Sequence, residues 1–116
     1  MPKRGDRVAP PPRKGEWVLQ YMDAAAVDGW AELEKQAPGP LRDAWDILTR
    51  APMDRTNAKR QWPLMHDLGR RVIGGKELVQ WQYEVTGAGR IWYCPEQHRQ
   101  IVWITRASCG HPKETD

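Results

Sequence analysis

The sequence predicts an α+β fold of two layers: an N-terminal strand, a helical hairpin, then a three-stranded antiparallel meander. Two observations carry this. Between residues 24 and 50 the apolar side chains recur at helical spacing, whereas from 78 onward they alternate. Short turns bearing glycine or proline separate the late segments, which makes them sequential antiparallel neighbours.

Residues 1–14 hold four prolines and five basic side chains with almost nothing apolar, so 1–15 reads as a disordered basic arm and 16–116 as the domain. Trp17-Val18-Leu19-Gln20-Tyr21-Met22 reads as a short strand. Asp23 is placed to cap a helix over 24–36, whose Val27, Trp30, Ala31 and Leu33 fall on one stripe. Pro38-Gly39-Pro40 ends it. A second helix over 40–50 follows, with Leu41, Ala44, Trp45 and Leu48 at i, i+3, i+4 and i+7 and Pro52 as its stop. Residues 53–70 are polar and irregular, anchored by Trp62, Leu64 and Leu68, and Gly74-Gly75 marks a turn. Three strands close the chain: 78–85, 90–94 and 100–105, joined through Thr86-Gly87-Ala88-Gly89 and Pro95-Glu96-Gln97-His98.

The chain has 116 residues, 40% of them hydrophobic and 28% charged, with a mean hydropathy of −0.79. That composition fits one folded domain and excludes both a disordered chain and an integral membrane protein. No run reaches the length of a spanning helix and the N-terminus lacks the apolar stretch of a signal peptide, so a cytoplasmic location is expected. Seven Trp and no Phe run the length of the domain, so most of the indoles are expected in the core. Cys94 and Cys109 read as free thiols. Together with His98 and His111 they lack paired-ligand spacing, so no metal and no cofactor are expected.

The formal net charge of +3 conceals blocks. Residues 1–14 carry +4 and residues 15–54 carry −5. Residues 55–76 then carry +5, from Arg55, Lys59, Arg60, Arg70, Arg71 and Lys76 against Asp67. A basic block suits a polyanion such as RNA, because Lys and Arg that neutralise phosphates supply sequence-independent affinity; the alternative is a solvated loop.

The element order, Trp81-Gln82-Tyr83-Glu84-Val85, the turn into Arg90-Ile91-Trp92-Tyr93, the third apolar strand and the ending Gly110-His111-Pro112-Lys113-Glu114-Thr115 resemble the RelE/ParE toxin superfamily. The RelE/HigB-like branch of actinobacteria and their phages is the nearest likeness, over residues 16–116. The resemblance implies the toxin of a type II toxin-antitoxin pair: a metal-independent endoribonuclease that cuts mRNA on the ribosome and is neutralised by a cognate antitoxin protein. The chain departs from many RelE-type nucleases in having no aromatic residue after Trp103.

Metal-free RNA cleavage by the 2′-hydroxyl needs a proton acceptor, a proton donor for the leaving oxygen, and cations for the transition state. Arg90 is the candidate phosphate clamp, since a guanidinium offers paired donors; its other reading is a solvent-facing strand-end arginine. His111 is the proton-transfer candidate, because an imidazole titrates near neutrality, and Lys113 would add a cation. Tyr93 joins them if it stands on the open face of its strand, and is otherwise a half-buried strand tyrosine. Arg106, just past the last strand, joins Arg55, Lys59, Arg60, Arg70 and Arg71 as an expected RNA contact. Glu84 is a secondary base candidate, and His66 reads as a surface or packing residue. Two other functions fit the same fold: a ParE-like gyrase inhibitor acting by protein contact, and a non-toxic regulatory module.

Overall fold

The computed structural model describes residues 2–8 and 11–110. β1 (Val18–Tyr21) runs into α1 (Ala24–Gln36), where the Asp23 carboxylate accepts the Ala26 N–H at 2.9 Å and satisfies an otherwise orphan donor of the first turn. A single residue, Ala37, separates α1 from α2 (Pro38–Arg50). Pro38 and Pro40 sit in the first turn of α2, where a helix needs no backbone N–H, so the helix begins two residues earlier than its apolar stripe indicates. Ala26, Trp30 and Leu33 from α1 and Leu41, Ala44 and Leu48 from α2 form the buried stripes.

The strands that follow are β2 (Gln61–Pro63), β3 (Arg70–Ile73), β4 (Lys76–Val79), β5 (Trp81–Glu84), β6 (Arg90–Glu96) and β7 (Ile101–Ser108), with one turn of 3-10 helix at His66–Gly69. Five of them make one sheet in the order β1-β7-β6-β5-β2, with β1 parallel to β7 and the other pairs antiparallel. The expected meander is therefore present as β5, β6 and β7. The expected strand over 78–85 is corrected to two, β4 and β5, broken at Gln80. There the chain leaves a separate β3–β4 hairpin and enters the sheet: Gln80 donates its N–H to Gly69 and its side-chain amide to Leu68. The hairpin turns through Gly74 and Gly75 at φ 59° and 82°, the left-handed pair that a two-residue turn requires. β6 runs on through Pro95 because its pairing with β5 ends at Tyr93, so no neighbour on that side lacks a donor.

Alternation along β6 gives the sheet two distinct faces. Ile91 and Tyr93 join Leu19, Tyr21, Trp81, Tyr83, Val102 and Ile104 in the core beneath the helices. Trp92, Cys94 and Glu96 point the other way. On that second face the β3–β4 hairpin packs as a partial third layer, which the two-layer expectation did not contain. Lys76 reaches Glu96 at 3.4 Å, and the Gln80 side chain accepts the Thr105 hydroxyl at 2.6 Å. An extra residue in β7, Thr105, makes a bulge opposite Trp92 and Tyr93.

The expectation that the N-terminal arm lies outside the fold is corrected for its described part. Val8 is buried in the core and donates its N–H to Leu19 at 2.8 Å. Gly5 donates to Tyr21, Tyr21 to Asp6, and Arg7 pairs with Gln20 in antiparallel register. One apolar side chain and three backbone bonds along the free edge of β1 are enough to hold this segment, whatever its proline content. No helix among the described residues is long and apolar enough to cross a membrane.

Candidate nucleic-acid interface

Residues 61–63, 81–84, 90–96 and 101–108 stand side by side, and their register sets out a row across the second face: Trp62, Gln82, Trp92 and Arg106. The Trp92 indole N–H donates to Gln82 Oε1 at 2.8 Å, which fixes the ring, and the Arg106 guanidinium lies 5.1 Å from its centroid. Trp62, Trp92 and Trp103 are all half-buried on this face. Of the seven tryptophans, Trp17, Trp30 and Trp81 are buried as expected and Trp45 packs on the core from α2. The remaining three are presented rather than hidden.

At the Arg106 end of the row is a cleft of about 400 Å³, lined by Ala25, Arg71, Trp92, Thr105, Arg106, Ala107 and Ser108. The β3–β4 hairpin delivers Arg71 to it from one side and β7 delivers Arg106 from the other. Among the described residues its lining thus contains two guanidinium groups, one indole and two hydroxyl side chains, and no carboxylate, imidazole or thiol. Such a set has the chemistry to accept an anion that carries a flat apolar group, guanidinium to phosphate and ring against ring.

Arg90 stands two residues from Trp92 on the same face and pairs with Ser108 of the cleft. Its Nη1 donates to the carbonyls of Thr86 and Gly89, each at 3.0 Å, and its Nη2 is 3.8 Å from the Glu84 carboxylate. The guanidinium is therefore held rigidly against its own hairpin turn, with part of its donor edge directed at Glu84. It is neither the free clamp nor the loose surface arginine of the sequence expectations.

Tyr93 is corrected from catalytic candidate to core residue. Its ring stacks on Trp81 at 6.3 Å, its hydroxyl donates to Pro52 O at 2.8 Å, and it accepts from Gln61 Nε2 at 3.2 Å. Burial pushes the hydroxyl well above the ordinary tyrosine range, which leaves it neutral and unsuited to proton transfer. Strand parity decided this: Tyr93 shares its face with Ile91, so Trp92 takes the open side. His111 and Lys113 lie outside the described residues.

The basic block of 55–76 is divided rather than gathered. Arg71 enters the cleft, while Arg70 is exposed and, by alternation, projects from the opposite face of the hairpin. Arg55 lies 5.4 Å over Trp81, on the helix side of the sheet, and Lys59 is exposed in the same loop. Arg60 donates to the carbonyls of Glu84 and Val85 and lines a separate groove of about 450 Å³ with Asp43, Asp46 and Tyr83. Two carboxylates make that groove unfavourable for phosphate. So Arg55, Lys59 and Arg60 do not share a surface with Arg71 and Arg106.

Sequence reasoning missed a cluster centred on Glu96. Its nearly buried carboxylate accepts from Arg99 at 2.6 and 3.0 Å and from the Trp103 indole at 3.0 Å, with Lys76 beside it. The Arg99 and Trp103 donors hold its pKa down at about 2. Through Lys76 this cluster links the tip of the hairpin to the sheet, while Gln80 anchors its base; the sequence signal for the link was Lys76 beside the Gly-Gly turn.

No protein-family model, curated protein or solved structure matches this chain.

Proposed function

We propose that the chain is an RNA-directed toxin of a type II toxin-antitoxin pair, of the RelE/HigB-like kind, acting on ribosome-bound mRNA and held in check by a cognate antitoxin. The observation that supports this best is the Arg71–Trp92–Arg106 cleft, which offers two phosphate-binding cations around one fixed aromatic ring. In this reading Arg71 and Arg106 hold the phosphodiester, Trp92 stacks against a base, and Arg90 stabilises negative charge at the edge of the cleft once Glu84 yields to the phosphate. Proton transfer falls to His111, with Lys113 as an added cation. Tyr93 takes no part.

The test is induced expression in a bacterial host, followed by growth and message integrity. Growth arrest with depletion of translated mRNA is expected, and His111→Gln should abolish cleavage while RNA affinity is retained. Arrest with intact message and relaxed or broken DNA would replace this reading with gyrase inhibition. A second reading, a regulatory RNA-binding protein without cleavage on the same fold, is favoured by the engagement of Arg90 with its own turn and by the burial of Tyr93. Tight RNA binding with no growth arrest and no cleavage would select it.

A further inference from the structure

The N-terminal segment was expected to hang free, yet it lies along the open edge of β1, held by the backbone bonds of Gly5, Asp6 and Val8 and by a single bridge between Arg7 and Gln20. Its register has a consequence for charge. Val8 faces the core beside Leu19, so by alternation Arg7, paired with Gln20, projects from the opposite face. Gln20 is in turn paired with Trp103 of β7. Arg7, Gln20 and Trp103 therefore form a second row on the face that carries Trp92 and Arg106. Arg7 is exposed, and its row sits two strand spacings from β7 and three residues along it from Arg106, a Cα separation of roughly 14 Å for ordinary sheet dimensions.

We infer that Arg7 is a second phosphate-binding position of the RNA face: single-stranded RNA seated in the Arg71–Trp92–Arg106 cleft continues past Trp103 to the Arg7 guanidinium on the paired N-terminal segment. This inference rests on the cleft reading above and adds to it both a residue and a substrate class. Charge complementarity along the path supports it. Around Trp103 the Glu96 carboxylate is outnumbered by Arg99 and Lys76, and the path passes no other carboxylate before Arg7 among the residues that form the two rows. The half-buried Trp103 indole lies between the two cationic ends, where a base can stack, and stacking on an aromatic ring is indifferent to sequence. A duplex, its bases already stacked on one another, has no use for such platforms, so the surface selects unpaired RNA.

The experiment compares a uridine dinucleotide with octauridylate, each titrated into the full-length chain over a range of salt concentrations. The dinucleotide's one phosphate is taken by the cleft and leaves Arg7 nothing to contact, so Arg7→Ala should not change its affinity. For octauridylate the same substitution should lower affinity severalfold and reduce the slope of log K against log salt by about 0.7, the single-strand value for one phosphate. Val8→Asp, which keeps Arg7 but unseats the segment, should reproduce the octauridylate loss; a full salt slope in that variant would mean that a loose basic tail suffices. An Arg7→Ala effect of equal size on both lengths, or on neither, overturns the inference while the cleft reading stands, provided Arg71→Ala still weakens both ligands. Absence of octauridylate binding to the wild-type chain removes both readings. Binding of polyglutamate in place of RNA would reassign the face to an acidic protein partner.

Discussion

Replacing Tyr93 with Phe separates a core residue from a catalytic one, because the two roles predict opposite patterns. The substitution keeps the ring stacked on Trp81 and removes one oxygen. That oxygen donates to the Pro52 carbonyl at 2.8 Å and accepts from Gln61 Nε2 at 3.2 Å, both inside the core. Pro52 O keeps a second donor, Gln61 Nε2 at 3.3 Å, and the Gln61 amide keeps the Ala51 carbonyl at 3.1 Å, so neither group is orphaned outright. The cost should therefore be near that of a net buried hydrogen bond, about 1.5 kcal/mol, rather than the 3 kcal/mol or so of a fully stranded polar group. For a domain of this length that lowers the midpoint of thermal unfolding by about 6 °C. Circular dichroism melts measure it. RNA affinity and any cleavage rate, assayed well below the melting range, should equal those of the wild type. A variant that melts like the wild type but loses activity a hundredfold would refute the placement of Tyr93 in the core.

Gly29→Ala tests the seating of α1 on β7. A Cβ at Gly29 would fall on the Ala107 carbonyl, so the helix would have to shift, and the overpacking cost of up to about 3 kcal/mol outweighs the roughly 1 kcal/mol that alanine gains in helix propensity. A melt lowered by about 8 °C is expected; an unchanged or raised melt contradicts the packing. The pH dependence of stability should carry the signature of Glu96. Its folded pKa of about 2 lies below the ordinary 4.5, so its stabilisation is complete above pH 4.5 and is lost as pH falls from there toward 2. Urea unfolding across that range should show this limb in the wild type and a flatter one in Glu96→Gln, and identical limbs would mean that Arg99 and Trp103 do not hold the Glu96 carboxylate in its charged form.

Much of the fold was legible because its signals were local. The Asp23 cap, the α2 stripe and the alternation from Trp81 to Val85 each follow from neighbouring residues, and each appears where expected. What escaped was settled by distant partners. Residues 53–70 look polar and irregular and 78–85 look like one strand, and only the Gln80 and Glu96 contacts make Arg70 to Val79 a separate hairpin packed on the sheet. The N-terminal segment looks disordered by composition, and a single buried valine overrides that. For the candidate site, the sequence offered basic residues but could not group them. Arg71 and Arg106 meet from elements 35 positions apart, while Arg60, eleven positions from Arg71, faces Asp43 and Asp46 instead. The choice between Trp92 and Tyr93 depended on which face the helices cover, a tertiary fact that alternation alone leaves open.

The most direct test of the account is RNA binding by the Arg71→Ala/Arg106→Ala double variant, measured by titration of octauridylate at several salt concentrations. Both side chains line an open cleft, so the fold should survive with a melt close to that of the wild type. Loss of two phosphate contacts should lower the salt slope by about 1.4 and weaken binding at least tenfold at moderate salt. A well-folded double variant that keeps the wild-type affinity and the wild-type slope would contradict the claim that this cleft binds RNA.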